Sequence, residues 1–371
     1  MAGSVAFGHE RRIRVLIVDD SAIVRKILTE TLSSQEDMEV VGTAPDPIVA
    51  FQKIQRLNPD VITLDVEMPR MDGLTFLKQL MQSNPLPVIL ISSLAQSSCE
   101  IAMEALRCGA VEVMAKPNGP YSVGDLRDSI CARIRAAARA KLRSSPVSRS
   151  SEAVTPPLAR ATMQASVPRE WLSQTVIAIG ASTGGTQAIS EVLTALPAGL
   201  PPILVVQHIP AVFSRAFAER LNRMCALHVE EASDGCRPRP GTALIAPGGF
   251  HMVLGRAGGE LEIRIKDGPL VQYQRPAVDV LFASVAEVAG PNAIGVILTG
   301  MGKDGADGLL RMKQRGAFTI AQDEATSVVF GMPREAIRLG SAERVLPLDA
   351  IAGAIVSALP GPSTAAPHRI A

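Results

Sequence analysis

The chain has 371 residues, with 37 Lys and Arg against 36 Asp and Glu, so charge alone gives no reason to expect a polyanionic partner or an anionic membrane. Aromatic residues make up only 3%, which argues against base-stacking nucleic-acid modules and sugar-stacking clefts. At about 150 residues per domain the length suggests two or three domains, and 47% hydrophobic residues furnish sizeable cores. The five cysteines (Cys99, Cys108, Cys131, Cys225 and Cys236) are odd in number and contain no C-x-x-C pair. That excludes the usual zinc spacings and a disulfide framework, and fits a reducing cytosol. No apolar run reaches the ~18 residues needed to span a bilayer. Residues Met1 to Arg11 lack the basic start and apolar core of a signal peptide. A cytoplasmic protein without membrane insertion is expected.

In chain order, short β-branched runs alternate with amphipathic stretches. Ile13 to Val18, Glu39 to Gly42, Val61 to Leu64, Val88 to Ile91 and Val111 to Met114 read as strands. Helical patterns cover Ala22 to Leu32 and the regions near 47–57, 73–82, 98–108 and 123–139. Such βα repeats predict a doubly wound five-stranded parallel sheet, with functional groups at the carboxyl ends of its strands. From about Ala137 to Glu170 the composition turns to Pro and Ser, with six Lys or Arg against two Glu. So polar a segment cannot bury enough surface to offset its ordering entropy, and it reads as a linker over 141–170.

Beyond the linker, Thr175 to Ile179, Ile203 to Val206, Ala293 to Leu298 and Phe318 to Ala321 read as buried strands. Helices are predicted near 185–196, 213–226, 304–315 and 333–339. Residues 228–265 are rich in Gly and Pro and read as irregular, apart from a hairpin of His251 to Leu254 with Glu260 to Ile265. The second domain is therefore also α/β, doubly wound with a hairpin, and spans 173–360. The tail from Pro360 is expected to fray.

Five groups converge on one edge of the first sheet. Asp19 and Asp20 follow the first strand, Asp65 the third, Ser92 ends the fourth, and Lys116 follows the fifth. Carboxylates so close repel one another unless a cation sits among them, and oxygen-only ligands favour Mg²⁺. An aspartate beside that metal can attack a phosphoryl donor, with Lys116 balancing charge and Ser92 donating to the phosphoryl oxygens. Through Val18-Asp19-Asp20-Ser21, Asp65-Val66-Glu67-Met68-Pro69-Arg70-Met71-Asp72-Gly73 and Lys116-Pro117, residues 12–140 resemble the response-regulator receiver domain. The resemblance implies phosphorylation of Asp65, Mg²⁺ held by Asp19, Asp20, Asp65 and the carbonyl of Glu67, and sensing of the phosphoryl group by Ser92 and Lys116. It also implies a histidine kinase as phosphodonor. Val113 stands where many receivers carry a switching aromatic.

The second domain opens on strand, glycine turn and helix start, Gly180-Ala181-Ser182-Thr183-Gly184-Gly185. This satisfies G-x-S-x-G, so Ser182 can stand on a tight elbow as a nucleophile. The alternatives are a helix cap or an anion-binding turn, although Thr186 replaces the lysine of a P-loop. Of the five histidines, His9 and His368 lie in terminal extensions and His228 opens the irregular region. His251 follows a Pro-Gly-Gly turn. His208 follows the next strand in sequence and is the best base. Thr299-Gly300-Met301-Gly302-Lys303-Asp304-Gly305 repeats the strand–turn–helix pattern. There, Asp304 or Asp307 can orient the imidazole, and the flexible backbone can donate to an oxyanion.

These two motifs, with Gln207-His208-Ile209 and the run Arg275 to Phe282, resemble the catalytic domain of the chemotaxis protein-glutamate methylesterases. The resemblance implies Ser182 as nucleophile, His208 as base, Asp304 as orienting carboxylate and the Met301 amide in the oxyanion hole. It implies methyl-ester hydrolysis and glutamine deamidation on methyl-accepting chemoreceptors, with no cofactor for the ester chemistry and an inhibition relieved by phosphorylation. By itself Arg275 to Phe282 reads as a turn plus core helix. A receiver-gated binding module without catalysis is the alternative. A DNA-binding regulator is disfavoured, because residues 171–371 hold 17 basic and 17 acidic groups and show no recognition-helix pattern.

Overall fold

The computed structural model describes residues 11–68, 70–93, 96–116, 122–142, 172 and 174–359. Nearly all of the expected linker, both terminal extensions with His9 and His368, and Pro69 and Pro117 of the quoted motifs lie outside the described residues. The chain divides into two compact units, Met1–Leu142 and Arg143–Ala371. Among the described residues no helix is long and apolar enough to cross a membrane.

In the first unit, β1 (Ile13–Val18), β2 (Met38–Ala44), β3 (Val61–Asp65), β4 (Val88–Ser92) and β5 (Glu112–Ala115) form one parallel sheet in the order β2-β1-β3-β4-β5. Helices α1 (Ala22–Ser33), α2 (Pro47–Leu57), α3 (Gly73–Ser83), α4 (Gln96–Arg107) and α5 (Ser122–Ala138) alternate with the strands. Every residue of β3 and β4 is buried, as expected for parallel strands covered on both faces. Local chemistry sets the helix ends. Asp46 accepts from the amides of Ile48 and Val49 with Pro47 at the first helical position, and Asn58 closes α2 in the left-handed conformation. Strand order reverses between β1 and β3, the place where open α/β sheets leave a crevice. The predicted elements are all present, with the fifth strand one residue later than expected.

The second unit holds a seven-stranded parallel sheet in the order β14-β13-β12-β6-β7-β9-β8 and a separate antiparallel hairpin. Its central strands are β6 (Val176–Ala181), β7 (Ile203–Gln207), β12 (Ala293–Ile297) and β13 (Phe318–Gln322). The hairpin is β10 (His251–Ala257) with β11 (Glu260–Lys266). The irregular reading of 228–265 needs correction, because β8 (His228–Glu231) and β9 (Thr242–Ile245) extend the main sheet. Each has only four residues, and β8 is the edge strand with two of them exposed. So short a run inside a Gly- and Pro-rich stretch gives no usable period. The strand β14 (Arg344–Leu346) and a final helix (Leu348–Ser357) were likewise not anticipated.

The helices of this unit that matter for its chemistry are α6 (Gly185–Ala195), α7 (Ala211–Met224), α8 (Val278–Val288) and α9 (Ala306–Gln314). Helix α8 continues the predicted Arg275–Phe282 run and buries Val278, Leu281, Phe282, Val285 and Ala286 in the core. Its start is thereby fixed against the sheet edge where β6 and β12 end. Replacing the fully buried Phe282 by alanine should cost about 3–5 kcal/mol of stability, measurable by urea denaturation. A loss below about 1 kcal/mol would mean that α8 is not anchored by this ring.

Candidate active site and phosphoacceptor pocket

In the first unit the structure brings the predicted carboxylates together. Oxygens of Asp19, Asp20 and Asp65 all lie within 4.8 Å of one another. Lys116 Nζ donates to Asp65 Oδ2 at 2.7 Å and stands 3.6 Å from Asp19 Oδ2. The other Asp65 oxygen accepts from the amide of Glu67 at 3.1 Å. Burial pushes the Asp65 carboxyl up to about 6 against the downward pull of Lys116, with Asp19 adding to the rise. Burial likewise raises Asp19. Two buried acids pushed toward their neutral forms describe a pocket short of positive charge. Among the described residues Asp19 Oδ2 is buried without a hydrogen-bond partner, so this oxygen donor set fits a hard divalent cation such as Mg²⁺.

Ser92 ends β4 fully buried, and among the described residues its hydroxyl makes only a 3.4 Å bond to the Ser93 carbonyl. The Glu67 carboxylate turns elsewhere, accepting from the hydroxyls of Ser93 and Ser98. That leaves Glu67 a metal-site role only through its backbone. Val113 is buried opposite Leu90 in the sheet.

In the second unit the strand order reverses between β6 and β12. Ser182 follows β6, His208 follows β7, and the Gly300–Gly305 turn follows β12. His208 Nε2–H donates to Asp304 Oδ2 at 2.8 Å, and both residues are buried. The other ring nitrogen, Nδ1, is buried with no hydrogen-bond partner among the described residues. Asp304 also accepts from the amides of Val278 (2.7 Å) and Asp279 (2.9 Å). Asp307, the alternative orienting carboxylate, lies in the first turn of α9 and is exposed. The structure therefore separates the two aspartates that residue type and spacing alone leave equivalent.

The turn bearing Ser182 is pinned by backbone contacts. The Ser182 amide donates to Thr299 O at 3.0 Å, and its carbonyl accepts from the side-chain amide of Gln207 at 2.9 Å. The same Gln207 nitrogen reaches His208 O at 3.2 Å, so one side chain ties together the two segments carrying Ser182 and His208. The Thr299 hydroxyl donates toward the carbonyls of Thr183 and Val329.

The expected elbow is modified. The left-handed residue is Gly184 (φ 76°) rather than Ser182, and α6 has no side-chain cap, so the Ser182 hydroxyl is not spent on capping. A Cβ at Gly300 would stand 2.7 Å from Ser182 Cβ and 3.0 Å from Ser182 N. Only glycine lets the 300–305 turn approach the serine so closely. Among the described residues the next amide, that of Met301, has no hydrogen-bond acceptor.

His228 and His251 are not brought to this centre. His228 opens edge strand β8 and is exposed. His251 is buried, with Nε2–H donating to Pro269 O at 3.0 Å and Nδ1 accepting from the Ala277 amide at 3.3 Å. Residues that sequence reasoning left without a role are Gln207 and Asp279. Gln207 carried one available signal, a polar residue closing an otherwise apolar strand.

A receiver-like sheet and an α/β unit with a Ser, His and Asp gathered at one strand-end crevice define the class of a response-regulator hydrolase. Comparison with known proteins narrows this. Residues 15–126 match the response regulator receiver domain, and residues 177–355 match the CheB methylesterase family. Protein-glutamate methylesterase/protein-glutamine glutaminase 2 of Syntrophus aciditrophicus (strain SB) is 55% identical over 345 residues, 93% of this chain and 98% of that protein. The protein-glutamate methylesterase/protein-glutamine glutaminase of Salmonella typhimurium (strain LT2) is 52% identical over 342 residues, 92% of this chain and 95% of that one. Among solved structures, the Thermotoga maritima CheB methylesterase catalytic domain is 40% identical with a TM-score of 0.49, covering 50% of this chain and 98% of its own. The chain belongs to the protein-glutamate methylesterase/protein-glutamine glutaminase family.

Asp279 gives this site a pH-dependent stability. Burial first, then the charge of Asp304, raises its carboxyl to about 6 from an ordinary 3.8. Ionisation is thus harder in the folded than in the unfolded chain. The contribution of Asp279 is fully present below about pH 4 and is lost as pH rises through about 6. Asp279→Asn should therefore gain stability relative to wild type between pH 4 and pH 7, by urea denaturation at each pH. A wild-type-to-variant difference that is constant over that range would contradict the raised carboxyl.

Proposed function

We propose that this chain is a phosphorylation-activated protein-glutamate methylesterase and glutamine deamidase acting on methyl-accepting chemoreceptors in chemotactic adaptation. In this reading a receiver occupies 12–140, a linker 141–170 and a catalytic domain 173–360, and the protein works in the cytoplasm with a chemotaxis histidine kinase as its phosphodonor. One observation carries the reading: buried His208 holds Asp304 through Nε2 and keeps Nδ1 unpartnered at the strand end beside Ser182's.

The Ser182 hydroxyl attacks the γ-carbonyl carbon of a methylated glutamate while its proton passes to His208 Nδ1. Asp304 keeps the Nε2–H tautomer and stabilises the imidazolium. The oxyanion accepts from the Met301 amide, an interaction worth about 2.7–4 kcal/mol in comparable sites. Collapse breaks the C–OCH₃ bond, and methanol leaves with the proton from Nδ1. Water then attacks the glutamyl ester, its proton going to Nδ1, and the glutamate γ-carboxyl and free Ser182 are released. With a glutamine substrate ammonia leaves in place of methanol. None of these steps calls for a cofactor.

In the receiver, Asp19, Asp20, Asp65 and the Glu67 carbonyl would hold Mg²⁺, which offsets negative charge on the phosphoryl group and its acceptor. Asp65 is the acceptor, Lys116 pairs with the added charge and Ser92 donates to a phosphoryl oxygen. A 10- to 100-fold activation needs a coupling free energy of only about 1.4–2.8 kcal/mol.

The test is methanol release from methylated receptor fragments by the full chain, with and without a small-molecule phosphodonor and Mg²⁺. Ser182→Ala should lose roughly 10³-fold or more in rate. Donor stimulation should occur in wild type and vanish in Asp65→Asn. Release unaffected by Ser182→Ala would refute the mechanism, and equal stimulation of Asp65→Asn would refute the control. No release, together with no phosphonate labelling of Ser182, would instead make the second unit a binding module.

A further inference from the structure

Two helices that meet at this site begin without caps of their own. Helix α8 starts after Ala277 and α9 after Gly305, and neither start has a side-chain cap hydrogen bond from its own N-cap residue. Such starts leave backbone N–H groups in need of acceptors, and burial makes the need acute. Each helix meets the other's need. Asp304, immediately before Gly305, accepts from the Val278 and Asp279 amides at the start of α8. Asp279, in the first turn of α8, accepts from the amide of Gly308 in the first turn of α9 at 2.7 Å. A Cβ at Gly308 would stand 3.1 Å from Asp279 Cα and 2.7 Å from Phe282 Cβ, so the approach of the two helix starts is itself tight.

We propose that Asp279 is a positioning residue for acyl transfer: by capping α9 in exchange for the cap that Asp304 gives α8, it fixes the Asp304 carboxylate on His208. The inference rests on the Ser182–His208–Asp304 reading. Its logic is mechanical. The 300–305 turn ends where α9 begins, and it carries both the Met301 amide and Asp304. Asp279 holds that beginning from α8, whose position the core already sets through Val278, Leu281 and Phe282. Without the Asp279 acceptor, the first turn of α9 loses its side-chain hydrogen bond to α8, and among the described residues only the Val278 and Asp279 amides of α8 still hold Asp304, so its carboxylate is less firmly fixed on His208. A misplacement near 1 Å at a reacting group can cost about 100-fold in rate.

The charges facing Asp279 are Asp304 and Asp307, so a purely electrostatic role is the competing explanation. An asparagine separates the two, because it keeps an oxygen acceptor for the Gly308 amide and removes the charge. The experiment measures kcat and KM for methanol release by the full chain, with phosphodonor and Mg²⁺, from a receptor fragment bearing glutamate γ-methyl ester. Asp279→Ala should lose about 10- to 100-fold in kcat with KM within about twofold of wild type, and phosphonate labelling of Ser182 should slow in parallel. Asp279→Asn should restore kcat to within about threefold.

Wild-type kcat in Asp279→Ala overturns the clasp, and so does an asparagine variant as slow as the alanine one. If Asp279→Ala fails to fold by circular dichroism, the asparagine variant decides alone, with a loss beyond about tenfold counting against the clasp. A wild-type chain whose methanol release does not depend on Ser182 overturns the triad and the clasp with it. Ser182-dependent release with an indifferent Asp279 overturns the clasp only.

Discussion

A carboxylate buried to 2% exposure organises the second unit: Asp304 must find hydrogen-bond partners for both oxygens, because a buried carboxylate without them is costly. It is satisfied by His208 and by two amides at the start of α8. Those amides are available because Ala277, at the cap position, has nothing to offer them. A helix start also carries partial positive charge, which favours an anion there. The absence of a cap at residue 277 is thus part of how the site is built. The same carboxylate that fixes the imidazole also finishes a helix, so the orienting group is held by core packing rather than by a mobile loop.

The two units place their chemistry by one topological rule and fill it in opposite ways. Each sheet is parallel, and each site sits at a reversal of strand order, between β1 and β3 in one and between β6 and β12 in the other. In the first unit three acidic side chains crowd the crevice, with Lys116 reaching two of them. Burial raises both Asp19 and Asp65, which leaves a pocket short of positive charge, as the proposed cation and phosphoryl sites would require. In the second unit the only carboxylate given to the imidazole is already bound by amides, and the unpartnered atom is a nitrogen, His208 Nδ1. On the proposed reading that nitrogen takes up the proton of the Ser182 hydroxyl, so similar scaffolds would serve one site that wants positive charge and another that wants a proton.

Much of this was legible in the sequence, for reasons that can be named. Asp19, Asp65 and Lys116 follow buried apolar runs, and in a parallel sheet every such position falls on the same edge. Ser182 and His208 were legible on the same ground. The choice of Asp304 over Asp307 came from the family resemblance and not from residue type or spacing, because both stand near a helix start and only packing against α8 decides which one turns inward. Strands β8 and β9 escaped because four residues carry too little pattern. The contacts of Gln207 with Ser182 O and of Asp279 with Gly308 N are to backbone atoms 25 and 29 residues away. No side-chain spacing encodes such a bond, so its signal reduces to a polar residue where an apolar one would serve.

Asp279 shows what that placement costs. Burial and Asp304 raise its carboxyl to about 6, so at neutral pH the fold retains an anion that would be more comfortable in water. An asparagine would accept the same amide without the electrostatic penalty. The ionised form differs from asparagine in one useful respect: hydrogen bonds to a charged acceptor are shorter and roughly twice as strong as neutral ones. A clasp between two helix starts gains rigidity from that strength even as total stability falls. Trading stability for a fixed geometry is reasonable where the held group is the carboxylate on which His208 depends, and it locates the trade at the α8–α9 junction rather than at the nucleophile.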